Sequence, residues 1–159
     1  MDIHLEYMER VLDLAKQGTG SVSPNPMVGC ILVKDNKIIG EGYHKSFGGH
    51  HAEVDALNNC IEDPTGSDLY VNLEPCNIFS KTPPCVNKII ESGIKNVYVG
   101  CLDNNPEVNG QGILELKKAH INVYTDILYE KCYELNIGFF NLMKTGFPWV
   151  IAKFAQSNN

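Results

Sequence analysis

The fold of this chain is decided by residues 28–44, which read VGCILVKDNKIIGEGYH. Two runs rich in apolar residues lie on either side of Asp35, Asn36 and Lys37. Short runs of strand-forming residues around Asp and Asn are typical of a β-hairpin. The stretch therefore predicts two antiparallel strands early in the chain.

Outward from this hairpin, helical and strand patterns alternate. Upstream, apolar residues recur at helical spacing over residues 2–17, with Asp2 as a cap and Gly18 as the end. Downstream we predict a helix at 51–60, a strand at 68–73, a helix at 83–93, a strand at 95–102, a helix at 109–120, a strand at 121–127 and one long helix at 128–144. This order predicts an α/β fold, a three-layer α-β-α sandwich around a mixed five-stranded sheet.

Composition narrows the classes of function. The 159 residues are 43% hydrophobic and 20% charged, with a net charge of −6 and no stripe of Lys or Arg. We therefore expect no long nucleic acid as a partner. No apolar run is long enough to span a bilayer, and the N-terminus is amphipathic rather than a signal peptide. These features predict a cytoplasmic protein that does not bind membranes.

The six cysteines are not expected to form disulfides in a reducing compartment. Cys30 and Cys101 lie in strand-like runs, and Cys60 and Cys132 lie in helix-like runs. These four are predicted to be small core residues. The remaining pair needs a separate explanation.

Cys76 and Cys85 both follow a proline and lie near strand-to-helix junctions, and His51 stands at another predicted helix start. One His and two Cys make a three-ligand zinc site with one position open, as catalytic zinc requires. Water in that position would have a lowered pKa, and Glu53 is placed two residues after His51 to move protons. The pattern matches the His-x-Glu and Pro-Cys signature of zinc deaminases, except that eight residues separate the two cysteines.

Each residue also has a simpler interpretation when it is taken alone. His51 could be a solvated or capping residue, Glu53 a first-turn acid, and Cys76 and Cys85 buried thiols. His50 could replace His51 as the ligand, although only His51 gives His-x-Glu with Glu53. The joint arrangement favours zinc.

The segments SPNPMVGCILVKD, HAEVDAL, LEPC, KTPPC, DNNP and TGFPW resemble the deaminase domain of the bifunctional riboflavin-biosynthesis deaminase/reductase, a member of the cytidine deaminase-like superfamily. The resemblance covers roughly residues 3–155. It implies hydrolytic deamination of 2,5-diamino-6-ribosylamino-4(3H)-pyrimidinone 5′-phosphate to 5-amino-6-(5-phosphoribosylamino)uracil and ammonia. It also implies a homodimer or homotetramer.

Position by position, the resemblance assigns the zinc ligands to His51, Cys76 and Cys85 and the proton shuttle to Glu53. It assigns substrate contacts to Asn25, His44, Lys81, Asp103 and Asn105. The side-chain chemistry agrees, since Asn and Asp read amide edges and Lys binds phosphate. Asn25 and Asn105 each precede a proline and could instead be turn residues, His44 a strand end and Lys81 a solvated charge.

Two loops depart from the family pattern. NIFSK follows EPC where a His and a Gly are usual, and DNNP replaces DPNP. Two rival functions therefore stay open: a zinc deaminase of another base, nucleoside or nucleotide, and a catalytically silent zinc-binding module.

The last residues differ in pattern from the rest of the chain. We predict a deaminase domain at 1–147 and a C-terminal tail at 148–159 that resembles the start of a missing reductase domain. On this interpretation the chain is either a shortened two-domain enzyme or a natural stand-alone deaminase.

Overall fold

The computed structural model describes residues 2–79, 83–103 and 109–156. In chain order its elements are α1 (Ile3–Lys16), β1 (Gly29–Lys34), β2 (Lys37–Tyr43), α2 (Ala52–Asn58), β3 (Asp68–Leu73), α3 (Cys85–Glu91), β4 (Asn96–Cys101), α4 (Gln111–Lys118), β5 (Asn122–Tyr124), α5 (Tyr129–Leu135) and α6 (Ile137–Thr145).

The predicted hairpin is present, and its turn explains why it forms there. Asp35 and Asn36 have φ values of 48° and 60°, which are left-handed conformations that Asn and Asp tolerate. Two successive residues of this kind make the turn whose twist matches that of the paired strands. β1 and β2 pair in antiparallel register from Gly29 opposite Tyr43 to Lys34 opposite Lys37.

The five strands form one mixed sheet in the order β2-β1-β3-β4-β5. β1 pairs antiparallel with β2 and β3, whereas β3, β4 and β5 run parallel. Helices α2, α3 and α4 pack on one face through residues such as Ala56, Ile89 and Leu116. Helices α1, α5 and α6 pack on the other through residues such as Val11 and Phe140. The prediction of a three-layer fold is confirmed.

The prediction of one long helix over 128–144 is wrong. The helix is divided into α5 and α6 at Asn136, whose φ of −113° and ψ of 21° are not helical. The side chain of Asn136 donates to the carbonyl of Met27 at 2.8 Å and accepts from the Met27 amide at 2.8 Å. Both bonds join positions 109 residues apart, so periodicity alone could not show the break.

The described part of the predicted tail is exposed. Residues 148–156, the described part of the predicted tail, contain no helix or strand. The side chains of Val150, Ile151 and Phe154 are exposed. The division into residues 1–147 and 148–159 stays a prediction. Within the described ranges, every helix is too short or too polar to cross a membrane.

Candidate metal centre and active site

His51 stands at the start of α2, directly after the loop that follows β2. It occupies the N-cap position, but its side chain makes no capping hydrogen bond. Its Nδ1 atom instead lies 3.2 Å from the sulfur of Cys85 and 3.4 Å from the sulfur of Cys76. The imidazole is therefore directed at the two thiols and not at the helix backbone.

The two cysteines approach from either side of the β3–α3 connection. Cys76 follows β3, and Cys85 is the first residue of α3. The backbone joins them, because the Val86 amide donates to the Cys76 carbonyl at 3.2 Å and the Cys85 amide donates to the Cys76 sulfur at 3.4 Å. These two bonds hold the two cysteines next to each other, although eight residues separate them in the sequence.

The three ligand atoms of His51, Cys76 and Cys85 lie within 4.8 Å of one another. In a tetrahedral zinc site the nitrogen and sulfur ligands are about 3.5 Å apart, given bonds of roughly 2.1 Å and 2.3 Å. The observed nitrogen-to-sulfur distances are close to that value. Among the described residues this is the group of His, Cys, Asp and Glu side chains arranged to hold a metal ion. His50 is exposed and stands outside it.

The electrostatics of the cluster also fit a cation. A hydrogen bond from Cys85 lowers the pKa of Cys76 to about 4, and the bonded Cys76 sulfur raises the pKa of His51 to about 9. The same hydrogen bond raises the pKa of Cys85, because its thiol keeps the proton that it donates to Cys76, and burial adds to the rise. The two sulfurs therefore do not ionise together easily. A divalent cation removes this conflict by stabilising both thiolates, and soft sulfur and nitrogen donors suit zinc.

Glu53 lies on the first turn of α2 and is buried beside this cluster. Burial raises its pKa to about 7, and the nearby Cys76 adds to the rise. A carboxyl group with a pKa near neutrality can both accept and donate a proton at physiological pH. Glu53 thus has the properties of a proton shuttle next to a metal site.

These groups border a cavity of about 80 Å³. His51, Glu53 and Cys76 line it, and so do three of the residues predicted to contact substrate, Asn25, His44 and Asp103. The other two predicted contacts, Lys81 and Asn105, lie outside the described residues. All of these residue roles stay predictions.

His44 and Asn25 form a pair at the cavity wall. The Nδ1 atom of His44 is 2.9 Å from the carbonyl oxygen of His50, so it carries the proton and donates. The Nε2 atom then accepts from the side-chain amide of Asn25 at 3.1 Å. Burial lowers the pKa of His44, which agrees with a neutral ring.

Sequence reasoning missed three buried polar residues that support the site through hydrogen bonds to its backbone. Asn72 binds the backbone on both sides of Val28, at Met27 and Gly29, and Asn136 binds Met27 as well. Both hold the loop that carries Asn25. Glu74 accepts hydrogen bonds from the backbone around Asp103 and the start of α4. A polar residue within or directly after an apolar strand was the available signal for Asn72 and Glu74.

The other four cysteines have no part in the cluster. Cys30, Cys101 and Cys132 are buried, as predicted for core residues. Cys60 is only half-buried and lies just beyond the end of α2, not within it. Its thiol donates to the Ala56 carbonyl at 3.5 Å.

Comparison with known proteins agrees with this geometry. Residues 1–101 match the family described as the cytidine and deoxycytidylate deaminase zinc-binding region. The chain belongs to this family. The predictions of a zinc-binding deaminase and of its fold are therefore confirmed.

This deaminase has relatives of about its own length and relatives more than twice as long. It is 50% identical over 142 residues to the diaminohydroxyphosphoribosylamino-pyrimidine deaminase of Buchnera aphidicola from Schizaphis graminum, covering 89% of this chain and 97% of that protein. It is 46% identical over 153 residues to riboflavin biosynthesis protein RibD of Actinobacillus pleuropneumoniae, covering 96% of this chain and 41% of that one. The solved structure of Acinetobacter baumannii RibD superposes with a TM-score of 0.89 at 43% identity, covering 92% of this chain and 41% of that chain. The chain thus spans less than half the length of the RibD relatives.

Proposed function

We propose that this deaminase acts on a diaminopyrimidinone ribosylamino 5′-phosphate, which it converts to the matching aminouracil with release of ammonia in riboflavin biosynthesis. One observation carries the proposal: a buried carboxyl group, Glu53, borders the same small cavity as His51 and Cys76 of the metal cluster. A relative that matches over nearly its whole length is named for this substrate.

Zinc held by His51, Cys76 and Cys85 would supply a water molecule of lowered pKa and an electrophile for the developing oxyanion. Water adds to C2 of the ring, the carbon whose amine is absent from the product, and this amine leaves as ammonia. Glu53 takes one proton from the attacking water and passes it to the ring nitrogen. It then takes the proton of the added hydroxyl group and passes it to the departing amine. Its raised pKa suits both transfers.

The cavity wall offers groups of the kind that recognise a pyrimidinone ring. Asn25 and Asp103 can exchange hydrogen bonds with ring N–H, amine and carbonyl groups, and His44 holds the Asn25 amide. We propose Lys81 as the cation for the 5′-phosphate and Asn105 as a further polar contact, in keeping with the family resemblance.

The proposal is tested by measuring ammonia release from four substrates given separately to the zinc-loaded protein: cytidine, guanine, deoxycytidylate and the diaminopyrimidinone phosphate. We expect the last to be deaminated with the highest kcat/KM. The Glu53→Ala variant is the matched control for background hydrolysis. Preference for deoxycytidylate or cytidine would contradict the proposed substrate, and no release from any of the four would favour a silent zinc-binding module.

A further inference from the structure

Glu74 is a second buried acid at the cavity, and the proton transfers described above do not use it. It directly follows β3 and immediately precedes Pro75 and the metal-cluster residue Cys76. Its side chain is buried and lines the same cavity as Glu53. A buried carboxyl group in this place needs partners, since burial without them is costly.

Among the residues that the structure describes, four backbone amides donate to Glu74. One carboxylate oxygen accepts from the amide of Asp103 at 3.3 Å and from that of Gly110 at 2.9 Å. The other accepts from Gly112 at 3.0 Å and from Ile113 at 3.4 Å. An ionised carboxylate has about four acceptor positions, and these bonds fill them. The side chain of Glu74 therefore binds the backbone of two other segments.

The four amides belong to two segments that flank residues 104–108. Asp103 lies just beyond β4, whereas Gly110, Gly112 and Ile113 form the start of α4. The N-cap residue Gly110 has no side chain with which to cap α4, and Glu74 supplies the missing acceptor. One carboxylate thus fastens both ends of the β4–α4 connection.

The approach between these segments is close. A Cβ atom on Gly112 would lie 2.2 Å from the carbonyl oxygen of Pro75, so α4 starts in direct contact with the backbone beside Cys76. The backbone of Glu74 is bonded to the same region, because its amide donates to the Cys101 carbonyl at the end of β4 at 3.0 Å. The segment that carries Cys76 and the segment that carries Asp103 are therefore joined through Glu74.

We infer that Glu74 is a positioning residue of the deaminase, which fixes Asp103 at the cavity relative to the Cys76 side of the metal cluster. The inference rests on the proposed function, because it assigns Asp103 a contact with the pyrimidinone. In this role Glu74 acts through the backbone of the Asp103 segment and takes no part in the proposed proton transfers. Its loss displaces a binding group and leaves the reacting groups in place.

The test is the Glu74→Gln variant, assayed as zinc-loaded protein with the diaminopyrimidinone phosphate. Gln keeps the size of the side chain but replaces one acceptor oxygen with an NH₂ group that opposes two backbone amides. We expect KM to rise by about ten- to a hundredfold, as for lost hydrogen bonds to a charged group. We expect kcat to change by less than about threefold, because a contact made equally in ground and transition state acts on KM.

A double-variant cycle separates positioning from general support of the fold. If Glu74 acts through Asp103, Glu74→Gln should add little to the KM of an Asp103→Ala protein. A Glu74 that only stabilises the fold would raise KM by the same factor in both backgrounds, or in neither. The shorter Glu74→Asp variant should lie between wild type and Glu74→Gln in KM.

The matched control is Asn96→Ala, which removes a 2.6 Å hydrogen bond to Asp68 between the first residues of the same two strands, β4 and β3. It should destabilise the sheet and leave KM unchanged. If Glu74→Gln does not fold, Glu74→Asp replaces it. Calorimetry then compares the substrate affinity of the Glu53→Ala protein with that of the Glu53→Ala, Glu74→Asp protein, where Glu53→Ala prevents turnover. Unchanged affinity there would overturn the inference.

Three further results would overturn the inference. These are an unchanged KM in Glu74→Gln, full additivity with Asp103→Ala, and loss of bound zinc, which would move the role of Glu74 to the metal cluster. Each presumes a wild-type protein that deaminates the substrate. A wild type without this turnover contradicts the proposed function and is thus distinguishable from failure of the inference alone.

Discussion

Glu53 and Glu74 line one cavity at nearly equal burial, with 3% and 4% of each residue exposed, yet their surroundings differ. Glu74 receives four backbone amides from outside its own segment. Burial raises the pKa of Glu53 to about 7, and the nearby Cys76 adds to the rise, whereas His51, the Glu53 backbone amide and Cys85 oppose it. The two glutamates are almost equally buried, so their hydrogen-bond partners distinguish them. The Glu53 carboxyl group can exchange protons, whereas the Glu74 carboxyl group holds the backbone.

The largest expected effect is on turnover in Glu53→Gln. Gln cannot accept or release a proton, so kcat should fall by on the order of a thousandfold, within the range of general acid–base catalysis. Steady-state kinetics with the diaminopyrimidinone phosphate measure this loss. Bound zinc should stay at the wild-type level, and the free energy of unfolding should stay within about 1 kcal/mol, since an amide is easier to bury than a charge. Turnover close to wild type would remove the distinction between the two glutamates.

Unlike Glu53→Gln, the Glu74→Gln variant is expected to lower the free energy of unfolding. The variant leaves buried amides without a proper acceptor, and hydrogen bonds to a charged group contribute about 1.5–3 kcal/mol. The free energy of unfolding should fall by an amount in that range, measured by urea denaturation of zinc-loaded protein. If Glu53→Gln lost more stability than Glu74→Gln, the assignment of the two roles would be wrong.

Glu41 sharpens the comparison because it pairs with a charge at the surface. Its carboxylate binds Arg10 at 2.7 Å and 2.8 Å, and the side chains are 33% and 45% exposed. Such pairs contribute about 0–1 kcal/mol, so Glu41→Gln should lower the free energy of unfolding by less than about 1 kcal/mol and leave kcat unchanged.

The pH dependence of this small effect has a definite sign. The hydrogen bond from Arg10 lowers the pKa of Glu41 from its ordinary value of 4.5. A carboxyl group with a lowered pKa in the folded state adds stability above its unfolded pKa and loses it as the pH falls. The difference between wild type and Glu41→Gln should therefore be complete at pH 7 and vanish as Glu41 is protonated. Denaturation at a series of pH values tests this, and a difference that grows in acid would contradict it.

Local pattern was enough to predict most of the fold and the metal cluster. Strand alternation, the Asp35–Asn36 turn and the His-x-Glu pair lie within short stretches. His51 and Cys85 stand at helix starts and Cys76 follows a strand, so the predicted elements also place the three ligands. The break at Asn136 and the partners of Glu74 were not predictable in this way. Both depend on hydrogen bonds to distant segments, at Met27 for Asn136 and at Asp103 and the start of α4 for Glu74, which leave no local periodicity.

Zinc-dependent turnover tests the central claim most directly. Protein stripped with a chelator should release no ammonia from the diaminopyrimidinone phosphate, and turnover should return as zinc is added back, reaching its full value at about one ion per chain, as a single three-ligand site requires. Stripped protein that deaminates as fast as the zinc-loaded protein would contradict the account, and so would zinc-loaded protein without turnover of this substrate.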